Sequence, residues 1–390
     1  MDYIIVGGGL AGGLTALALA EAGRAANLTL LEGEATLGGN HTWSFHDTDL
    51  DEEGRTFVSP MVARRWPRHE VRFPGRARTI AAGYSAISSA GLAEVVGTRL
   101  QATGARVRLG TRAVVVDTNH VRLSDGTVLR GDMVIDARGP TLRSNGERYG
   151  FQKFVGLELE LDADGPWSAP VLMDATLPQT DGYRFIYVLP FSSRRVLVED
   201  TYYSDDPRLD LGGCEREVLA YVGRNGVAGA RVLRREVGVL PLPIEQPRTG
   251  GPTKGTAAGG PVTIGYRGGF FHAVTGYSVP LAVPVALAVA RARSVPEAHA
   301  ALAVIARALA PQQRFGRLLN RLMFEALPPP SRWRAFERFY RLPEATIARF
   351  YAGRSTWGDR ARVLLGRPPA GISWSRALGA WGHPSGREQA

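Results

Sequence analysis

The chain opens on an unbroken apolar run, Tyr3-Ile4-Ile5-Val6, that stops at Gly7-Gly8-Gly9. An Ala/Leu-rich stretch follows to Gly23, and a second apolar run, Leu28-Thr29-Leu30-Leu31, ends on Glu32. Short continuous apolar runs bounded by glycine are the pattern of strands buried on both faces, and the Ala/Leu stretch is that of a buried helix. The opening therefore predicts strand, glycine turn, helix and strand. In such a unit Gly7 makes the tight turn. Gly9 lets backbone N–H groups, with Leu10 and Ala11 behind it, approach a diphosphate at the helix N-terminus, and Gly12 lets the helix lie close on the strand. Glu32, 23 residues after Gly9, can accept from the ribose hydroxyls of an adenosine. A second pair, Gly38-Gly39, follows the acid and favours FAD over NAD as the dinucleotide.

Two later segments predict the rest of that domain. Thr111 to Asp117 and His120 to Leu123, turning through Ser124-Asp125-Gly126, read as a β-meander. It leads to a strand at Asp132 to Asp136 and a stop at Ala137-Arg138-Gly139-Pro140 beside the cofactor. Val262-Thr263-Ile264-Gly265 is a further short strand. A helix then opens near Thr275-Gly276-Tyr277-Ser278 with Pro280 in its first turn, so that its N-terminus can face the flavin diphosphate and ribityl chain. Between these parts, from about Phe151 to Leu242, short apolar runs alternate with turns and predict an antiparallel sheet, the natural place for a substrate. After Ala290 the pattern is helical. The expected fold is α/β: a Rossmann domain of the glutathione-reductase type over residues 1–150 and 243–300, an inserted antiparallel-sheet substrate domain over 151–242, and a helical region over 301–390.

Composition narrows the function. The net charge is +10 and comes almost wholly from arginine, since Lys153 and Lys254 are the only lysines. This reflects either a GC-rich coding sequence or an anionic partner such as a lipid surface. The arginines are scattered and no zinc-finger or RNP pattern is present, so nucleic acid is not expected. A lone cysteine, Cys214, excludes a disulfide framework and suggests a reducing compartment. The longest apolar stretch, Val279 to Ala290, contains Pro280 and Pro284 and is shorter than the ~18 residues a membrane span needs. A strand beginning at Asp2 or Tyr3 leaves no room for a secretory signal, so a cytoplasmic protein is expected.

Two carboxylate groups stand out. Glu158, Glu160 and Asp162 alternate with Leu157, Leu159 and Leu161, the pattern of a half-exposed strand with its acids in water. Glu199-Asp200 instead ends the run Arg195-Val196-Leu197-Val198 and precedes Thr201-Tyr202-Tyr203. A carboxyl group so placed should have a raised pKa, which makes it a candidate general acid. Seven histidines show no metal-binding spacing. His41 and Trp43 lie just beyond the flavin glycines and can line the pocket, whereas His46 reads as structural. No nucleophile elbow is present. Farther on, Trp333, Phe336, Phe339, Tyr340, Phe350 and Tyr351 mix with Arg332, Arg334, Arg338, Arg341 and Arg349, the composition of a surface lying in a headgroup layer.

The chain resembles the bacterial lycopene β-cyclases along nearly its whole length. The likeness rests on Gly38 through Asp47 (Gly-Gly-Asn-His-Thr-Trp-Ser-Phe-His-Asp), Met173-Asp174-Ala175-Thr176, Asp181-Gly182-Tyr183-Arg184-Phe185, Val198-Glu199-Asp200-Thr201-Tyr202-Tyr203, Phe271 through Ser278, and Arg338-Phe339-Tyr340-Arg341-Leu342-Pro343. The resemblance implies Glu199 as the catalytic glutamate with Asp200 beside it, and FAD held in its reduced form with NAD(P)H as an indirect reductant. It also implies lycopene and related acyclic carotenoids as substrates, cyclised without net redox change, and peripheral attachment at the inner face of the cell membrane. Two departures touch the flavin motif: Gly265 is followed by Tyr266 instead of an acid, and the segment after His272 reads Ala273-Val274-Thr275-Gly276-Tyr277. A monooxygenase or prenyl-chain reductase of the same fold, and a non-catalytic carotenoid-binding flavoprotein, are the alternatives.

Overall fold

Tyr3–Val6 forms the centre of a five-stranded parallel sheet in the computed structural model, which describes residues 1–140, 147–245, 259–366 and 368–381. The strand order is Val262–Thr263, Met133–Asp136, Tyr3–Val6, Leu28–Leu31 and Arg106–Arg108. Every residue of Tyr3–Val6 and Met133–Asp136 is buried. Helices Leu10–Glu21, Ser89–Ala102 and Val279–Arg291 cover one face, and the meander of Ala113–Val116, His120–Leu123 and Val128–Arg130 packs Val121 and Leu123 on the other. Burial from both sides is why these strands read as unbroken apolar runs instead of alternating ones.

The second sheet has seven strands in the order Ala230–Glu245, Arg148–Leu161, Arg195–Ser204, Tyr183–Pro190, Val171–Asp174, His69–Phe73 and Arg76–Ile80. Pairing is antiparallel except between Val171–Asp174 and His69–Phe73. The sheet therefore reaches beyond the expected 151–242 segment at both ends and takes two strands from residues 69–80. The expected 243–300 and 301–390 segments include residues 246–258 and 382–390, which lie outside the described residues. A helix absent from the sequence reading, Leu211–Arg224, closes the rear face by packing Val218, Tyr221 and Val222 on Leu157, Val188 and Val198.

The front face needs a cover as well, because a sheet buries its apolar side against another layer. The C-terminal helices supply it, and here the sequence expectation is corrected. Phe336, Tyr340, Phe350 and Tyr351 do not face a headgroup layer; they are buried in one core with Tyr183, Phe185 and Tyr203. The rings of Tyr183 and Phe336 stack 4.5 Å apart. Arg332 is buried too, its guanidinium on Asp205 and on the carbonyls of Met323 and Phe324. Trp357 and Leu365, at 84% and 68% exposure, are among the large apolar side chains this region leaves in solvent. Among the described residues no helix is long and apolar enough to cross a membrane.

Candidate active site

One cavity of about 960 Å³ lies between the two sheets. At its parallel-sheet end Gly7 has φ +104° and a Cβ there would come within 2.8 Å of the Ala137 carbonyl oxygen. At Gly12 a Cβ would come within 1.8 Å of the Gly7 carbonyl oxygen, so Gly12 permits helix–strand contact and does not line the cavity. Gly9 differs: a Cβ there would meet nothing within 4 Å, so its lack of a side chain clears the cavity and serves no packing. Gly9 is also the N-cap of Leu10–Glu21, whose first turn has no side-chain cap and no acid. Val279–Arg291, which opens at the same cavity after Ser278, likewise has neither. By contrast Asp51, Ser88, Asp210, Ser294 and Thr356 each cap a helix elsewhere with their side chains. Two uncapped, positively polarised helix ends at one cavity suit an anionic diphosphate.

The remaining sequence-predicted cofactor residues converge on the same wall. Leu10, Ala11, Glu32, Gly39, His41, Trp43, Gly139, Gly265, Thr275, Gly276 and Tyr277 all line it. The Glu32 carboxylate accepts from the Gly8 N–H at 2.6 Å and the Glu34 N–H at 2.9 Å, which fixes it at the end of Leu28–Leu31. Tyr266, the departure from the usual motif, stacks on Phe271 with centroids 4.0 Å apart and donates its hydroxyl to the Gly276 carbonyl at 2.9 Å. It thereby braces the turn that delivers the second helix. Tyr277 donates to Asp49 at 2.6 Å. His46, read as structural, is buried among Tyr84, Tyr277 and Tyr351, and its ring reaches the cavity wall.

The other end of the cavity is the front face of the seven-stranded sheet, lined by Phe154, Leu172, Met173, Phe185, Leu240 and the Glu199 carboxyl. Strand alternation sends Leu197, Glu199, Thr201 and Tyr203 forward and Val198, Asp200 and Tyr202 to the rear. Glu199 is 8% exposed, and Thr201 Oγ1 donates to its Oε1 at 2.6 Å. Burial first, and then the nearby Glu236 carboxylate, push its pKa up to about 8, so it is an acid that keeps its proton at neutral pH. Asp200 does not join it. On the rear face it takes a bidentate ion pair from Arg184, 2.8 Å to each oxygen, and the Tyr202 hydroxyl at 2.9 Å, out of reach of the cavity. Glu158, expected in water, is instead buried between Arg195 at 2.5 Å and Arg234 at 2.9 Å; Glu160 is exposed as expected. The sequence reading missed Glu236, which lines the cavity, and Tyr187, whose hydroxyl donates to Ser44 at 2.9 Å. The signal for Glu236 was present in outline, since it heads an apolar run, Val237-Gly238-Val239-Leu240, as Glu199 closes one.

A parallel α/β sheet with a glycine turn, joined to a large antiparallel sheet across one cavity, defines the fold class of the FAD-dependent oxidoreductases and monooxygenases. Solved structures bear this out. A flavin-dependent brominase superposes with a TM-score of 0.62 at 13% identity, over 93% of this chain and 96% of that one. A geranylgeranyl bacteriochlorophyll reductase-like protein from Thermoplasma acidophilum does so with a TM-score of 0.60 at 12% identity, over 98% and 96%. At such identities the likeness is one of fold. The sequence comparisons are finer: the lycopene cyclase protein family model matches residues 2–377. Lycopene beta-cyclase of Pantoea ananas is 41% identical over 374 residues, 95% of this chain and 96% of the relative. The chain belongs to the lycopene cyclase family.

Proposed function

We propose that the protein closes the acyclic ψ end groups of lycopene into β rings, with Glu199 as the proton donor. The observation that carries this reading is a buried carboxyl with one hydroxyl donor and, among the described residues, no cation paired with it, at the apolar end of a cavity whose other end has two uncapped helix N-termini suited to a diphosphate. Protonation of the terminal double bond by Glu199 gives a tertiary cation, the nearby internal double bond attacks it, and loss of a proton from the new ring leaves the β end group. No electrons are gained or lost. General acids of this kind contribute about 10²–10⁴-fold. The aromatic and aliphatic wall of Phe154, Leu172, Phe185 and Leu240 supports the role of an end-group pocket that keeps water from the cation. The residues at the opposite end fit FAD: the Gly7 and Gly9 turn with Leu10 and Ala11 at the helix start would hold its diphosphate, Gly12 would let that helix lie close on the strand, Glu32 would accept from the ribose, and Gly39, His41, Trp43, Gly139, Gly265, Thr275, Gly276 and Tyr277 would line the rest. In its reduced form, with NAD(P)H as the ultimate electron source, the flavin supplies an electron-rich ring that lowers the energy of a nearby cation.

A membrane-dissolved polyene also requires the protein to reach a bilayer. Peripheral attachment at the inner face of the cell membrane is part of the proposal, through exposed Trp357 and Leu365 with exposed Arg354 and Arg362 beside them. Expression in a lycopene-accumulating bacterium tests the whole reading. Cyclic carotenoids should replace lycopene, and in the purified system no NAD(P)H should be consumed per ring closed. Unchanged lycopene, or hydroxylated or saturated products formed with one NAD(P)H each, would overturn it.

A further inference from the structure

Four strands of the large sheet bring Glu236, Gly156, Glu199 and Tyr187 into one row, each registered opposite the next. Gly156 leaves the middle of that row without a side chain. A Cβ built there would lie 3.5 Å from the Glu236 Cβ and 3.6 Å from the Glu199 Cβ, with the Leu197 Cδ1 methyl 3.2 Å away, so a narrow slot edged by Leu197 separates the two acids. Both are buried and both line the cavity.

Their partners differ in kind. Glu236 accepts from the Thr42 N–H at 2.6 Å and the Thr42 hydroxyl at 2.9 Å, and it pairs with Arg234 at 3.2 Å. Glu199 has the Thr201 hydroxyl. Two carboxyl groups this close in a dry site do not both ionise, and the one given a cation and two donors takes the charge. Other ionisable groups also face the pair. Arg234 comes from the Glu236 strand itself, Glu158 from the strand between the two acids, Tyr187 from the strand beyond Glu199, and His41, whose Nδ1 is 3.8 Å from Glu236, from the segment before Thr42. Asp200 and Arg184 lie behind the sheet.

We propose that Glu236 is a positioning residue for cyclisation: its ionised carboxylate, fixed by Thr42 and Arg234, holds the proton on Glu199 across the Gly156 slot. The inference rests on Glu199 being the proton donor. It adds that the donor's working range is set from two strands away, by a residue anchored to the segment that lines the flavin end. After burial, the charge of Glu236 is the strongest influence keeping Glu199 protonated.

The test is the pH profile of ring closure by flavin-loaded wild type, Glu236→Gln, Glu236→Asp and Glu199→Gln, with flavin content and circular dichroism measured on each. Activity requires protonated Glu199, so it falls as pH rises through the donor's pKa. In Glu236→Gln that fall should move to lower pH by about two units, the size expected of a charge ~6–7 Å away at an effective dielectric of ~20. The rate below pH 6 should stay within a few-fold of wild type, and Glu236→Asp should restore most of the original midpoint. Glu236→Met, neutral and of similar volume, should reproduce the displacement if the Gln variant folds poorly. An unmoved midpoint in the neutral variants, whatever their overall rate, overturns the proposal while leaving Glu199 as donor. Near-normal ring closure by Glu199→Gln overturns the underlying reading instead.

Discussion

The two faces of the Arg195–Ser204 strand hold adjacent buried acids and treat them in opposite ways. On the rear face, burial pushes the Asp200 carboxyl up and it stays raised, but the Arg184 guanidinium and the Tyr202 hydroxyl oppose that shift and satisfy both oxygens. On the front face Glu199 has one hydroxyl donor and a second acid as its neighbour. Two adjacent buried carboxyl groups on one strand thus give a structural ion pair on one side and a stored proton on the other. Partners decide the outcome, and strand alternation decides the partners.

Substitution separates the two faces. Glu199→Gln keeps the shape and removes the acid, so cyclisation should fall by about 10²–10⁴-fold while flavin content stays near wild type. A loss confined to a few-fold would place the donor elsewhere. Asp200→Ala should do the reverse. It leaves a buried guanidinium with Glu217 as its remaining partner, so unfolding free energy should drop by roughly 3 kcal/mol, measured by denaturant titration, while the folded fraction keeps its turnover. A stable but inactive Asp200→Ala protein would mean that the rear face takes part in chemistry after all. The smallest effect belongs to the surface. Trp357→Ser should weaken sedimentation with anionic vesicles several-fold at low salt and leave turnover on detergent-dispersed lycopene unchanged. Equal binding by both proteins would remove Trp357 from the lipid contact.

The same contrast explains what could be read from the sequence. The glycine turn, Glu32, the strand pattern of Met133–Asp136 and the Pro280 helix start are local signals, because Gly7, Gly12 and Pro280 answer to backbone geometry within a few residues. Glu199 was legible for a similar reason, an acid closing an apolar run. What escaped depends on distant partners. His69–Phe73 alternates as a strand should, yet nothing local says that it pairs with Val171–Asp174. Glu158 shows the same alternation as a solvated acid, and only Arg195 and Arg234, arriving from strands 37 and 76 residues away, mark it as buried. The arginine and aromatic mixture of the C-terminal third has the composition of a headgroup-facing surface, but its aromatics fill the front of the sheet, a face no local pattern reveals.

The central claim is that Glu199 stores a proton at neutral pH, and infrared difference spectroscopy of the carboxyl C=O stretch measures this directly. The wild type should show a protonated buried-carboxyl band at pH 7 that disappears as pH rises through about 8, and Glu199→Gln should lack that band at every pH. A wild-type protein with no such band at pH 7, or a band that persists unchanged in Glu199→Gln, would contradict the account.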